Sequence, residues 1–114
     1  MQSVTIAEDI FDQLRASADQ ASQLMKAMAN TDRLMLLCQL SQGELSVSEL
    51  ETRLNLRQPS LSQQLTVLRE AQLVTTRREG KNVYYRIGSS AALAVIQVLH
   101  AEFCCSGHAQ TNPV

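Results

Sequence analysis

Apolar residues in this chain recur at three- and four-residue intervals over most of its length and change to alternation only once. From about Ala7 to Ala29, the spacing of Ile10, Leu14, Ala18, Ala21, Met25 and Met28 predicts one long helix. Asn30 can cap a second helix over Thr31 to about Ser41, with Asp32 favourable in its first turn. That helix is heavily apolar (Leu34, Met35, Leu36, Leu37, Cys38, Leu40), so it should be central, and Gly43 ends it. Ser46 followed by Glu49 is a capping-box pattern opening a short helix with Leu50 and Leu54. The turn Asn55-Leu56-Arg57-Gln58 leads into a fourth helix. There Pro59 suits the first helical position, and Leu61, Leu65 and Leu68 form one apolar stripe. After Ala71-Gln72 the period becomes two. Val74, Thr76 and Arg78 alternate with Thr75 and Arg77, and Val83, Tyr85 and Ile87 alternate with Tyr84 and Arg86. Glu79-Gly80-Lys81-Asn82 between them reads as a hairpin turn. A last helix starts at Ser89-Ser90 and runs to about Cys104.

That last helix is apolar on nearly every side, with only Gln97, His100 and Glu102 polar. A helix apolar all round must be buried all round, and a domain this small cannot cover both faces alone. The pattern therefore predicts a homodimer in which the first and last helices pack against a two-fold mate through Leu14, Leu93, Ile96, Leu99 and Phe103. One domain is expected over residues 1–106, with a disordered tail over 107–114.

Composition adds a charge asymmetry that the net value of −1 hides. Residues 1–52 carry eight acids against three bases, and residues 53–86 carry seven bases against two acids. A basic middle beside an acidic end fits a small DNA binder. The opening residues are acidic and lack an apolar run, and Ala91 to Leu99 is too short to cross a bilayer, so a cytoplasmic protein without membrane contact is expected. Three cysteines in a reducing compartment are core residues, metal ligands or redox groups rather than a disulfide framework. A Gly-rich phosphate loop, a Cys-X-X-Cys motif and an acid pair beside His100 are all missing from the sequence. An enzyme is not expected, nor is a cofactor.

The third and fourth helices form a helix-turn-helix candidate. Besides its leucines, the fourth helix carries Arg57, Gln58, Ser60, Ser62, Gln63 and Gln64, and so offers amides and hydroxyls where a surface helix usually carries Glu and Lys. Such a face suits the DNA major groove, where amides and hydroxyls read base edges. The basic hairpin then reads as a wing. Ser60, Gln63 and Gln64 are expected to read bases, and Arg77, Arg78 and Lys81, beside Tyr84, to meet phosphate.

These segments together resemble the ArsR/SmtB family of bacterial winged-helix repressors. The resemblance covers about residues 20–104. It is carried by Leu24-Met25-Lys26-Ala27-Met28-Ala29-Asn30 with Arg33-Leu34, by Leu45-Ser46-Val47-Ser48-Glu49-Leu50, by Gln58-Pro59-Ser60-Leu61-Ser62-Gln63-Gln64-Leu65 with Leu68-Arg69, and by Arg77-Arg78-Glu79-Gly80-Lys81-Asn82-Val83-Tyr84-Tyr85. It implies a mainly α protein with a small β-hairpin: a winged helix-turn-helix homodimer of α1-α2-α3-α4-β-β-α5 protomers. Such a dimer binds an inverted-repeat operator in double-stranded DNA and leaves it when an inducer arrives.

Many members sense metals, and here the sequence departs from them. The arsenic and cadmium type has two cysteines in the segment that reads Ser46-Val47-Ser48, where serines are poor soft-metal ligands. The zinc and nickel type uses Asp and His pairs along the last helix, which here offers only His100 and Glu102, with His108 in the tail. A site of Cys104, Cys105 and His108 would lack a fourth ligand. No metal is expected, although a metal-responsive repressor with a non-standard site is the alternative. The pair Cys38 and Cys104 instead resembles the sulfur- and redox-sensing branch, with its BigR-like, SqrR-like and HlyU-like regulators of sulfide detoxification and virulence. The resemblance implies that these two cysteines join within one protomer in response to reactive sulfur species or an oxidant. At about 100° per residue, residues 93, 96, 100 and 104 share one side of the last helix while Cys105 points away, which favours Cys104 as the partner.

Overall fold

The computed structural model describes the backbone of residues 2–104 and the side chains of residues 9–103. The expected tail, together with Cys105 and His108, lies outside the described residues. In chain order the elements are α1 (Gln2–Met28), α2 (Thr31–Leu40), β1 (Leu45–Ser46), α3 (Val47–Leu54), α4 (Gln58–Glu70), β2 (Val74–Glu79), β3 (Asn82–Ile87), α5 (Ser90–Leu99) and a π-helical turn over His100–Cys104. The expected mainly α architecture with a hairpin is present.

Local chemistry sets the helix starts. The Asn30 side chain accepts the Arg33 N–H at 3.1 Å and caps α2. At α3 both halves of the capping box form. Ser46 N–H donates to the Glu49 carboxylate at 2.8 Å, and Glu49 N–H donates to Ser46 Oγ at 3.2 Å. Hydrogen bonding from the Ser46 N–H, then from the Ser46 side chain, holds the Glu49 carboxyl below its usual pKa. Arg57 is the N-cap of α4, so Pro59 falls one residue later than expected, in the first turn where N–H groups still lack helical partners. Ser89 caps α5 by accepting Ala92 N–H at 3.1 Å.

The core is the meeting of α2, α3, α4 and α5 over one end of the sheet. Leu36 and Leu37 of α2, Leu50 of α3, Leu61 and Leu68 of α4 and Ile96 of α5 are fully buried. Each such side chain contributes about 1.5–3 kcal/mol by leaving water. The sheet has three antiparallel strands in the order β1-β3-β2, where the sequence pattern showed only the hairpin. β1 pairs Leu45 with Tyr85 and Ser46 with Tyr84. At two residues it is too short to display alternation, and it exists because β3 offers it an edge. In the hairpin Glu79 pairs with Asn82, leaving Gly80-Lys81 as the turn. Gly80 has φ +64° and Lys81 does not share a positive φ, the pattern of a type II′ turn.

Two expectations need correction. Ile96, assigned to the dimer seam, is fully buried in its own protomer's core and cannot touch a partner. The last helix also does not stay α-helical to Cys104. Its end becomes a π-helical turn from His100, so the 100° argument that put Cys104 on one side with Leu93 and Ile96 does not extend past Leu99.

Candidate nucleic-acid interface

α3 and α4 are joined by a tight turn in which Asn55 closes α3 in the left-handed conformation at φ 54°. α4 turns Leu61, Leu65 and Leu68 into the core. Its remaining faces differ. Arg57, Gln58, Ser62 and Gln63 are exposed, and Ser62 Oγ donates to Gln58 Oε1 at 3.1 Å. Ser60 and Gln64 lie on the flank that meets α2 and are half-buried. Ser60 Oγ faces Asp32 Oδ2 at 3.5 Å, and Gln64 Oε1 accepts Arg33 NH1 at 2.8 Å. The polar face read from the sequence is therefore two faces, one open and one engaged with α2.

The wing divides in the same way. Arg77 donates through Nε to both carboxylate oxygens of Glu44 at 2.9 Å and through NH1 to Glu79 at 3.0 Å, and its guanidinium lies 4.5 Å over the half-buried Tyr84 ring. The Glu44 bonds first, then the Glu79 bond, hold Arg77 still more firmly in its charged form. Arg78 and Lys81 are exposed and have no carboxylate partner among the described residues. Glu44 was not singled out in the sequence. Its role follows from the turn before β1 meeting β2, a contact across 33 residues.

Two apolar faces remain open. Along α1, residues 9–20 are all exposed, among them Ile10, Phe11 and Leu14, the last at 63%. On α5 and beyond, Val98 and Phe103 are exposed at 60% and 73%, while Leu93 and Leu99 are half-buried. Val98, not among the residues expected at the seam, is more exposed than Leu93 or Leu99, because a helix apolar in every direction does not show which side its own core takes.

Cys38 is half-buried on α2. It borders an apolar cavity of about 530 Å³ whose walls include Leu34, Met35, Leu54, Leu99 and Phe103. Cys104 follows Phe103 in the π-helical turn, and its side chain lies outside the described residues. Among the described residues no three His, Cys, Asp or Glu side chains could hold a metal ion together.

Residues 30–76 match the family described as bacterial regulatory protein, arsR family. The biofilm growth-associated repressor of Agrobacterium fabrum is 53% identical over 87 residues, spanning 76% of this chain and 74% of that one. The chain belongs to the ArsR family. Its fold agrees with solved ArsR-type winged helices. Reduced HlyU from Vibrio cholerae superposes with a TM-score of 0.78 at 44% identity, covering 81% of this chain and 97% of that one. The homodimeric winged helix-turn-helix DNA-binding domain from Mycobacterium bovis superposes with a TM-score of 0.71 at 31% identity, covering 88% and 91%. The protein is thus a transcriptional regulator of the ArsR family, and its relatives are DNA-binding regulators. No helix among the described residues is long and apolar enough to cross a membrane.

Proposed function

We propose that the protein is a homodimeric repressor that grips an inverted-repeat operator through two copies of α4 and releases it when Cys38 and Cys104 are joined. The open apolar faces of α1 and α5 support the dimer, and the Mycobacterium bovis relative is a homodimer. In each half-site, Gln58, Ser62 and Gln63 read base edges, and Arg57, Arg78 and Lys81 meet phosphate. Ser60 and Gln64 support α4 from its α2 side. Arg77 and Tyr84 brace the wing.

The observation that carries the switch is the shared cavity. Cys38 on α2 and Phe103, the neighbour of Cys104, line the same apolar space. A hydropersulfide can transfer its outer sulfur to the Cys38 thiolate, leaving its own thiolate behind. The Cys104 thiolate then attacks the inner sulfur of the Cys38 persulfide, forming the disulfide and expelling hydrosulfide. A longer sulfur chain between the two cysteines would have the same mechanical effect. Closing the cavity this way pulls α2 toward the end of α5, and so shifts the reading head against the dimer seam. Two recognition helices must sit about one DNA turn apart, near 34 Å, so a small rotation of each protomer spoils both half-sites. The similar structure from Vibrio cholerae is that of reduced HlyU, which is in keeping with a thiol-based control. Sulfide-handling or virulence genes are the targets that such an inducer implies.

The test is mass spectrometry of protein treated with a persulfide donor, read beside DNA binding. A Cys38–Cys104 crosslink should form, DNA should be released, and Cys38→Ser or Cys104→Ser should each abolish release. Full response in the double serine variant would refute the switch, and release by metal ions in that variant would favour a metal-responsive regulator.

A further inference from the structure

α2 carries, at its first turn, an arginine that ties its own helix to two others. Arg33 Nε donates to the Ala27 carbonyl at 2.6 Å and its NH2 to the Lys26 carbonyl at 3.4 Å, both in the last turn of α1. Its NH1 donates to Gln64 Oε1 in the middle of α4 at 2.8 Å. No carboxylate pairs with Arg33 among the described residues. Its charge is held by the carbonyl-rich C-terminal end of α1 and by an amide oxygen, a favourable place for a cation.

We infer that Arg33 is a positioning residue for DNA reading, fixing the angle of α4 against the C-terminal turn of α1. A planar fork with donors in fixed directions holds both helices in one geometry, whereas a lysine ammonium, a point charge with rotatable donors on a flexible stem, would not fix the angle between them. The consequence lies at the level of the dimer. The exposed apolar stretch of α1 is the part available to a partner, so the orientation of α1 is set by the seam. Through Arg33 the orientation of α4 follows it. Loosening this joint lets each recognition helix drift relative to its mate. Sequence-specific binding suffers because both half-sites must be met together, while phosphate attraction persists because Lys keeps the charge. The inference rests on the reading of α4 as the DNA-contacting helix.

The experiment uses the full chain, with affinities measured for a selected operator and for a random duplex of equal length. Arg33→Lys should lower the operator-to-random ratio by roughly tenfold, the scale of one charge-assisted hydrogen bond, with random binding nearly unchanged. Gln64→Leu should give a similar loss, and the double variant should lose no more than either single one, since both remove the same link. Gln64→Glu, which keeps an oxygen toward Arg33, should recover most of the ratio lost in Gln64→Leu. A general structural role would instead lower thermal stability and weaken both duplexes together. Losses that multiply in the double variant, or an Arg33→Lys ratio equal to wild type, would overturn the inference. If Arg33→Lys fails to fold, the pair Gln64→Leu and Gln64→Glu decides, and equal losses in these two would overturn it. Wild-type protein without any operator preference would refute the DNA-reading assignment instead, a separate outcome read from a separate sample.

Discussion

The wing offers a test in which two of its basic residues should behave differently. Lys81 lies at its tip without a carboxylate partner among the described residues, whereas Arg77 sits between Glu44 and Glu79 at 2.9 and 3.0 Å. Each phosphate contact contributes about 0.9 to the slope of log affinity against log salt, so Lys81→Ala, removing two contacts per dimer, should flatten it by about 1.8. Between about 50 and 200 mM salt the variant would then lose roughly tenfold less affinity than wild type loses. Arg77→Ala should leave the slope nearly unchanged, because two carboxylates already neutralise that guanidinium. Its ion pairs are exposed, so folding stability should change little. Glu44→Gln should steepen the slope, since it frees part of the Arg77 charge for the DNA. Fluorescence anisotropy of a labelled duplex across a salt series reads all three variants. A slope drop in Arg77→Ala as large as in Lys81→Ala would mean that Arg77 leaves its carboxylates for phosphate, and the division of the wing would be wrong.

Other outcomes follow from the packing. Leu14→Glu or Val98→Glu should yield folded monomers by sedimentation and cost about 10²–10⁴-fold in operator affinity as the two half-sites become unlinked. Ile96→Glu should instead unfold the protomer, seen by circular dichroism, because the charge would be buried in its own core. Glu49 contributes its capping-box stability above its unfolded pKa and loses it as pH falls through its lowered folded value. The thermal stability gap between wild type and Glu49→Gln should therefore be present at neutral pH and close in acid. Gln72 sits at φ 63° just after α4, so Gln72→Gly should raise stability by about 1 kcal/mol in denaturant unfolding. No change there would mean that Gln72 finds compensation in its side chain.

What the sequence revealed was what neighbouring residues decide. Asn30 and the Ser46–Glu49 pair announce helix starts because caps act within three residues. Leu61, Leu65 and Leu68 announce a buried face because the helix period is local, and Gly80 announces the hairpin turn because its φ is. The features that escaped depend on partners far along the chain. β1 needs the edge of β3. The pairing of Arg77 with Glu44 spans 33 residues, and that of Arg33 with Gln64 spans 31. The amides of α4 looked alike in the sequence, and only the position of α2 separates Gln64, bound to Arg33, from the open Gln63. The seam was misread at Ile96 for the same reason, since a helix apolar on every side does not show which side its own core takes.

The central claim is that the open face of α4 reads DNA, and selection of binding sequences from a random duplex library tests it most directly. Reduced wild-type protein should enrich an inverted repeat with half-sites about one helical turn apart, near 34 Å between centres. Gln63→Ala should relax preference at one base position in each half-site, costing about 1–3 kcal/mol there and little on unselected DNA. Enrichment of no motif, or a motif unchanged by Gln63→Ala and altered instead by wing substitutions, would contradict the account.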